Sequence, residues 1–165
     1  MTMKSVEDAT ALHTHLHRLF ASVKEASKEE KVIAGQIAVI GGGATGVETA
    51  GELAHYAPKV AAKYGLDPSF VSIVLIEAMP RILPLIDASL ATRTHKHLEH
   101  LGVKIFLNHA VQSCQKGSIA MDDMTLRAGT VLWTAGVQAH GLLAATKEIE
   151  TDRRGRAVVD EHLRV

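Results

Sequence analysis

Gln36-Ile37-Ala38-Val39-Ile40-Gly41-Gly42-Gly43-Ala44-Thr45-Gly46-Val47 is the stretch on which the fold turns. Gln36 to Ile40 is a short apolar run that stops at a glycine cluster, the pattern of a strand buried on both faces. Thr45 to about Tyr64 then repeats apolar residues at helical spacing: Val47, Ala50, Leu53, Ala54, Ala57, Val60 and Ala61. Between them Gly41 to Gly46 matches G-x-G-x-x-G in the strand-to-helix context that the pattern requires. Gly41 permits a tight turn. Gly43 has no Cβ, so a diphosphate can come close to the backbone, and Gly46 lets the helix lie tightly on the sheet. The amides of Gly42, Ala44 and Thr45 join these glycines as candidate ligands, because the free N–H groups and dipole of a helix start favour an anion.

Working outward, Pro58 is expected to kink or end the first helix near Tyr56. Gly65 to Ser69 is loop chemistry, and Phe70 to Ile76 reads as a second buried strand closed by Glu77. An acid at that point can accept both hydroxyl hydrogens of an adenosine ribose and would repel a 2′-phosphate, so NADH is favoured over NADPH. Ala78 lies beside it. Glu77 is further from the glycines than the roughly 20 residues usual for this pairing, and the long helix plus the loop account for the excess. Arg81 could reach a 2′-phosphate and weakens that preference. The competing reading is that the glycines only form a tight turn. The residues alone do not decide whether the adenine half belongs to NAD or FAD.

The remaining chain supplies further elements. Residues 5 to 30 read as one amphipathic helix, with Ser5 and Asp8 as a capping box. Asp87 caps a helix that stops at Gly102. Val103 to Leu107 and Thr130 to Thr134 read as strands, Ala110 to Arg127 as an antiparallel meander turning at Lys116-Gly117 and Asp122-Asp123, and Arg156 to Val159 as a last strand. The sum is an α/β fold: a Rossmann-like doubly wound parallel sheet with an antiparallel β-meander crossover. Residues 31–165 form the nucleotide-binding domain, preceded by the helix of residues 1–30.

Composition narrows the function. The 165 residues are 47% hydrophobic and 22% charged, with 18 basic and 18 acidic side chains. Zero net charge argues against a nucleic-acid binder. The one cysteine, Cys114, rules out a disulfide framework, a CxxC pair and a cysteine-rich zinc site. Residues 1–8 carry no apolar signal core and no run is suited to a membrane span, so the chain is expected to be soluble and cytoplasmic. The 10 histidines lack a completing ligand set, so no metal is expected. Trp133 reads as core packing. Neither Tyr56 nor Tyr64 is followed four residues later by lysine, as a self-sufficient alcohol dehydrogenase would need. Val47 stands where a P-loop would carry lysine.

Gly41 to Glu48 followed by Ala50-Gly51-Glu52-Leu53 resembles the NADH-binding domain of type II NADH dehydrogenases, flavoproteins of the pyridine nucleotide-disulfide oxidoreductase superfamily. Ile76-Glu77-Ala78 with Pro80-Arg81-Ile82-Leu83-Pro84, Val131 to Val137, and Asp152 to Arg156 with Val159-Asp160 and Leu163-Arg164-Val165 agree with it. The resemblance implies NADH bound by this chain and FAD bound by a domain missing from these residues, since neither the family's FAD fingerprint nor its Gly-Asp flavin motif occurs here. It implies hydride transfer from NADH to flavin and electrons onward to quinone, with the full-length enzyme a peripheral membrane protein on the cytoplasmic face. The isolated chain would bind NADH without turnover. It would contain no catalytic residue, although Glu48 would face the nicotinamide–flavin contact; Glu48 reads equally as a carboxylate favoured by a helix start. Ala135-Gly136 would approach the nicotinamide half. Apolar surface where the flavin domain would sit would let two copies pair as a homodimer. A ferredoxin, nitrite or disulfide reductase of the same group, or a non-catalytic dinucleotide-binding module, are the alternatives.

Overall fold

The computed structural model describes residues 1–165 apart from 116, 123, 137, 138, 140 and 147 and the side chain of Ala144. It divides into two compact units, Met1–Ala135 and Gly136–Val165. The first contains, in order, α1 (Val6–Ser22), α2 (Lys28–Gly35), β1 (Gln36–Ile40), α3 (Ala44–Lys63), β2 (Ser72–Glu77), α4 (Ala88–His100), β3 (Lys104–Leu107), β4 (Val111–Gln115), β5 (Ser118–Met121), β6 (Thr125–Arg127) and β7 (Thr130–Trp133).

Strands β3-β2-β1-β7 form one sheet in that order, every pair parallel. Ile40 stands level with Ile76 on one side and Trp133 on the other, so three strands end together. Alternation along the strands sorts their side chains between two cores. Ile37, Val39, Ile73, Leu75 and Leu132 pack against α1, α3 and α4 through Leu16, Phe20, Ala57, Val60 and Leu98. Ala38, Ile40, Val74 and Ile76 point the other way, onto Ile119, Met121 and Ala128 of the meander β4-β5-β6 and its exit. The α/β sheet with a meander crossover is therefore present, the meander covering the face opposite the helices.

Three local readings are corrected. The helix read over residues 5–30 is two helices. Ser5 caps α1 as expected, accepting the Asp8 N–H at 3.2 Å, but α1 ends at Ser22. Ser27 and Glu30 then form a full capping box that starts α2. Helix α3 runs through Pro58 to Lys63 without ending near Tyr56. Ala57, Val60 and Ala61 are buried on both sides of the proline, and that burial outweighs the lost hydrogen bond. Phe70 belongs to a 3₁₀ turn (Pro68–Phe70), so β2 begins at Ser72. Strands β4, β5 and β6 pair antiparallel as expected of the meander; Lys116 and Asp123 of its two turns lie outside the described residues. Asp87 caps α4 and Gly102 follows it with φ +84°.

Helices α1 and α3 are joined by polar as well as apolar contacts. His17 Nδ1 lies 2.9 Å from the Tyr64 hydroxyl and Nε2 lies 3.1 Å from that of Tyr56. His13 packs on His17 with ring centroids 4.5 Å apart. Burial, then His13 and Lys63, hold the His17 pKa below its ordinary value. His15, whose Nε2 lies 3.0 Å from the Thr130 hydroxyl, is lowered too, mainly by burial. No helix among the described residues is long and apolar enough to cross a membrane.

The second unit carries a short helix α5 (Gly141–Ala145) that was too brief for periodicity to reveal. The strand expected over Arg156 to Val159 is reduced to a single bridge, Thr151 to Ala157. Asp152 takes the Arg156 N–H onto its own side chain at 3.0 Å, which removes a ladder donor. The Arg156 amide, and then its guanidinium, pull the Asp152 pKa down to about 2. Asp160 repeats the arrangement with Arg164.

Both lowered histidines prefer to be neutral in the folded chain, so the unfolded chain binds more protons below about pH 6.5. Stability is expected to fall on acidification through that region and to be fully present above it. Urea midpoints at pH 5.0, 6.0 and 7.5 check this, and His17→Gln should flatten the dependence.

Candidate functional site

The chain leaves β1 through α3 toward β2, while β7 lies on the opposite side of β1. The loops after β1 and β7 therefore diverge, and a crevice opens at the carboxyl ends of the strands, where open α/β sheets bind ligands. The glycine turn lies at this edge, with Ala135 packed directly against Gly41.

Each glycine of the turn meets a different constraint. Gly41 has φ +112°, and a Cβ there would stand 2.7 Å from the Ala135 nitrogen. Its N–H donates to Ile76 O at 2.8 Å. Gly46 is buried so closely that a Cβ would overlap the Gly41 carbonyl oxygen, with Thr134 Oγ1 2.8 Å away. Gly43 differs from both: its φ is −72°, and a Cβ would meet nothing within 4 Å. The turn is thus packed behind and open in front, over Gly43.

Gly43 is also the N-cap of the 20-residue helix α3, and no side chain caps it. The first bond of that helix runs from the Val47 N–H to Gly43 O at 3.0 Å. Among the described residues, the amides of Ala44, Thr45 and Gly46 have no acceptor, as helix geometry dictates for the first turn. Gly43, Ala44 and Thr45 are exposed. These donors and the positive end of the dipole converge where an anion can approach.

Glu77 faces this turn. Its Oε2 accepts the Gly42 N–H at 2.6 Å and its Oε1 accepts the Met79 N–H at 2.8 Å. One amide of the turn is therefore taken by the acid itself. Each carboxylate oxygen keeps a second lone-pair site, so two hydroxyls can still be accepted. Glu77, Ala78, Ile40 and Gly41 line a cavity of 210 Å³ together with His109 and Trp133.

The expected residues separate into groups. Gly41, Gly42, Gly43, Ala44, Thr45 and Gly46 form the turn, with Glu77 and Ala78 beside it and Ala135 packed against Gly41. Glu48 is exposed and lines a different cavity, of 360 Å³, with Leu12, Leu16, Glu52 and Tyr56. Gly136 begins the second unit with φ +79°, and Val137 lies outside the described residues. Trp133 is not core packing as read from sequence. It is 41% exposed, its indole N–H donating to Ala135 O at 3.0 Å, because it ends β7 at the crevice. His109 and Thr134 were missed. The Thr134 hydroxyl donates to Ile40 O at 2.8 Å, with Gly41 O at 3.1 Å sharing the hydrogen. A position level with the end of β1 was the signal that could have found it. The histidines expected to be without a metal have protein partners in His15, His17 and His95, the last 3.4 Å from Glu99.

The family model for pyridine nucleotide-disulphide oxidoreductase matches residues 2–165. The chain belongs to this family. A type II NADH:quinone oxidoreductase of Staphylococcus aureus (strain NCTC 8325 / PS 47) is 34% identical over 167 residues, covering 99% of this chain and 41% of the relative. The chain thus spans about two-fifths of the length of that curated relative. Among solved structures, NDH2 from Plasmodium falciparum in complex with NADH superposes with a TM-score of 0.78 at 25% identity, over 86% of this chain and 31% of that one. The water-forming NADH oxidase from Lactobacillus brevis bound to NADH gives 0.66 at 21% identity, over 99% and 31%, a likeness of fold. The Rossmann-like architecture of this pyridine nucleotide-disulphide oxidoreductase chain is shared with these neighbours.

Gly46→Ala is expected to cost about 3 kcal/mol or more, because backbone and not a side-chain tip blocks the new methyl. Gly43→Ala is expected to stay within about 1 kcal/mol of the parent, its backbone being ordinary and its surroundings open. Urea unfolding of the two variants measures the difference.

Proposed function

We propose that the chain is the NADH-binding domain of a flavoprotein NADH dehydrogenase. The observation that carries this reading is the Glu77 carboxylate held 2.6 Å from the Gly42 N–H, beside a helix start whose amides are open over Gly43. The diphosphate of NADH lies over Gly43 and receives hydrogen bonds from the amides of Ala44, Thr45 and Gly46. The adenosine ribose gives its two hydroxyl hydrogens to Glu77, which places the adenine on the Ala78 and His109 side of the turn. The nicotinamide half runs toward Ala135 at the end of β7, and Glu48, which lines the separate cavity beside α1, takes no part. A 2′-phosphate would bring a second anion onto Glu77, so NADPH binds less well.

The resemblance to type II NADH:quinone oxidoreductases supports the wider role. FAD, bound by another domain of the whole enzyme, would supply the hydride acceptor on the way to quinone. The residues here bind and orient the donor. By themselves they bind NADH without turning it over, and the whole enzyme works as a peripheral membrane protein on the cytoplasmic face.

Calorimetric titration with NADH, NADPH and FAD tests this. NADH is expected to bind better than NADPH, and FAD not at all. Glu77→Ala should weaken NADH by about tenfold or more, the loss of two hydrogen bonds to a charged group. Gly43→Ala should weaken it while leaving stability unchanged. Equal affinity for NADH and NADPH, or a flavin-coloured chain, contradicts the reading.

A further inference from the structure

Arg81 stands where a basic side chain could meet a 2′-phosphate, yet its guanidinium is turned back onto its own loop. Nη1 donates to Ile86 O at 2.9 Å and Nη2 donates to Pro84 O at 2.7 Å. A planar fork that satisfies two carbonyls at once is a rigid tie, and reaching an external phosphate would break both bonds.

The tied loop connects directly to the glycine turn. Leu83 has φ +49°, a left-handed conformation that crowds a side chain with a Cβ. Its carbonyl accepts the Ile86 N–H at 3.0 Å, closing the turn, and its own N–H donates to Gly42 O at 2.7 Å. Ile82, next in the chain, is 1% exposed and anchors the loop in the helix-side core. The Gly42 peptide is therefore held from both ends, its N–H by Glu77 and its carbonyl by Leu83. Arg81 closes the same loop from its other side, through the carbonyls of Pro84 and Ile86.

We propose that Arg81 is a positioning residue for the dinucleotide site: by tying Pro84 and Ile86 it keeps the Leu83 N–H on the Gly42 carbonyl and so fixes the glycine turn and the Glu77 carboxylate that grips it. This rests on reading the crevice as a dinucleotide site. Arg81 then contributes to binding of NADH and NADPH equally and has no part in choosing between them.

The test uses the 165-residue chain and its Arg81→Ala and Arg81→Lys variants, with NADH and NADPH dissociation constants from calorimetry and amide hydrogen exchange without nucleotide. Arg81→Ala is expected to weaken both nucleotides by the same factor, about tenfold, and to speed exchange at Leu83. Arg81→Lys, whose ammonium can still donate to a carbonyl, is expected to recover much of both. A loss confined to NADPH would make Arg81 a phosphate ligand and overturn the proposal, as would an unchanged NADH affinity in Arg81→Ala. If Arg81→Ala does not fold, a lysine variant that folds yet binds NADH no better than tenfold below the parent also overturns it. A parent chain that binds neither nucleotide overturns the dinucleotide reading and this proposal together, whereas a parent that binds NADH with both variants unaffected overturns the proposal alone.

Discussion

The hydrogen bond from the Gly42 N–H to the Glu77 carboxylate joins the turn after β1 to the last residue of the neighbouring strand β2. It exists because β1 and β2 are parallel and in register, Ile40 level with Ile76, so that the turn after β1 arrives at the height of the last residue of β2. A slip of one residue would turn Glu77 to the other face of the sheet. Register therefore does more than build a sheet here. It places a carboxylate against a turn whose remaining amides are open.

The register is in turn held by the two cores. Ile37, Val39, Ile73 and Leu75 fix one face against helices, and Ala38, Ile40, Val74 and Ile76 fix the other against the meander. Burial on both faces leaves no room for a slipped pairing. Behind the glycine turn, Gly41 and Gly46 are locked by Ala135, Thr134 and each other. Rigidity at the back and openness at Gly43 in front are complementary, because a ligand whose charge is met by preset amides costs little ordering on binding. The histidine and tyrosine contacts between α1 and α3 seat the helix that presents those amides.

The glycines, Glu77 and the parallel strands were legible from sequence because each depends on local rules: no Cβ where backbone crowds, an acid at a strand end, apolar runs bounded by turn residues. The Ser27–Glu30 capping box was equally legible, but the charged stretch from Lys24 to Lys31 drew the reading toward a single helix end. Other features were not readable in one dimension. The passage of α3 through Pro58 depends on the sheet beneath it, and a propensity argument has no access to that burial. The exposure of Trp133 depends on β7 stopping level with β1. The left-handed Leu83 bonds Gly42, which is remote in sequence, and the inward turn of Arg81 depends on the loop folding back so that the Pro84 and Ile86 carbonyls face it. Proximity in sequence suggested that Arg81 could meet the ligand, and three-dimensional contacts give it a different task.

Backbone amide resonances followed by NMR during NADH titration test the central claim most directly. The account predicts that Gly43, Ala44, Thr45 and Gly46 shift together and saturate with the binding curve, while the Gly42 amide stays bonded to Glu77 throughout. Saturable binding that leaves these four amides unmoved and perturbs another face of the sheet would contradict it.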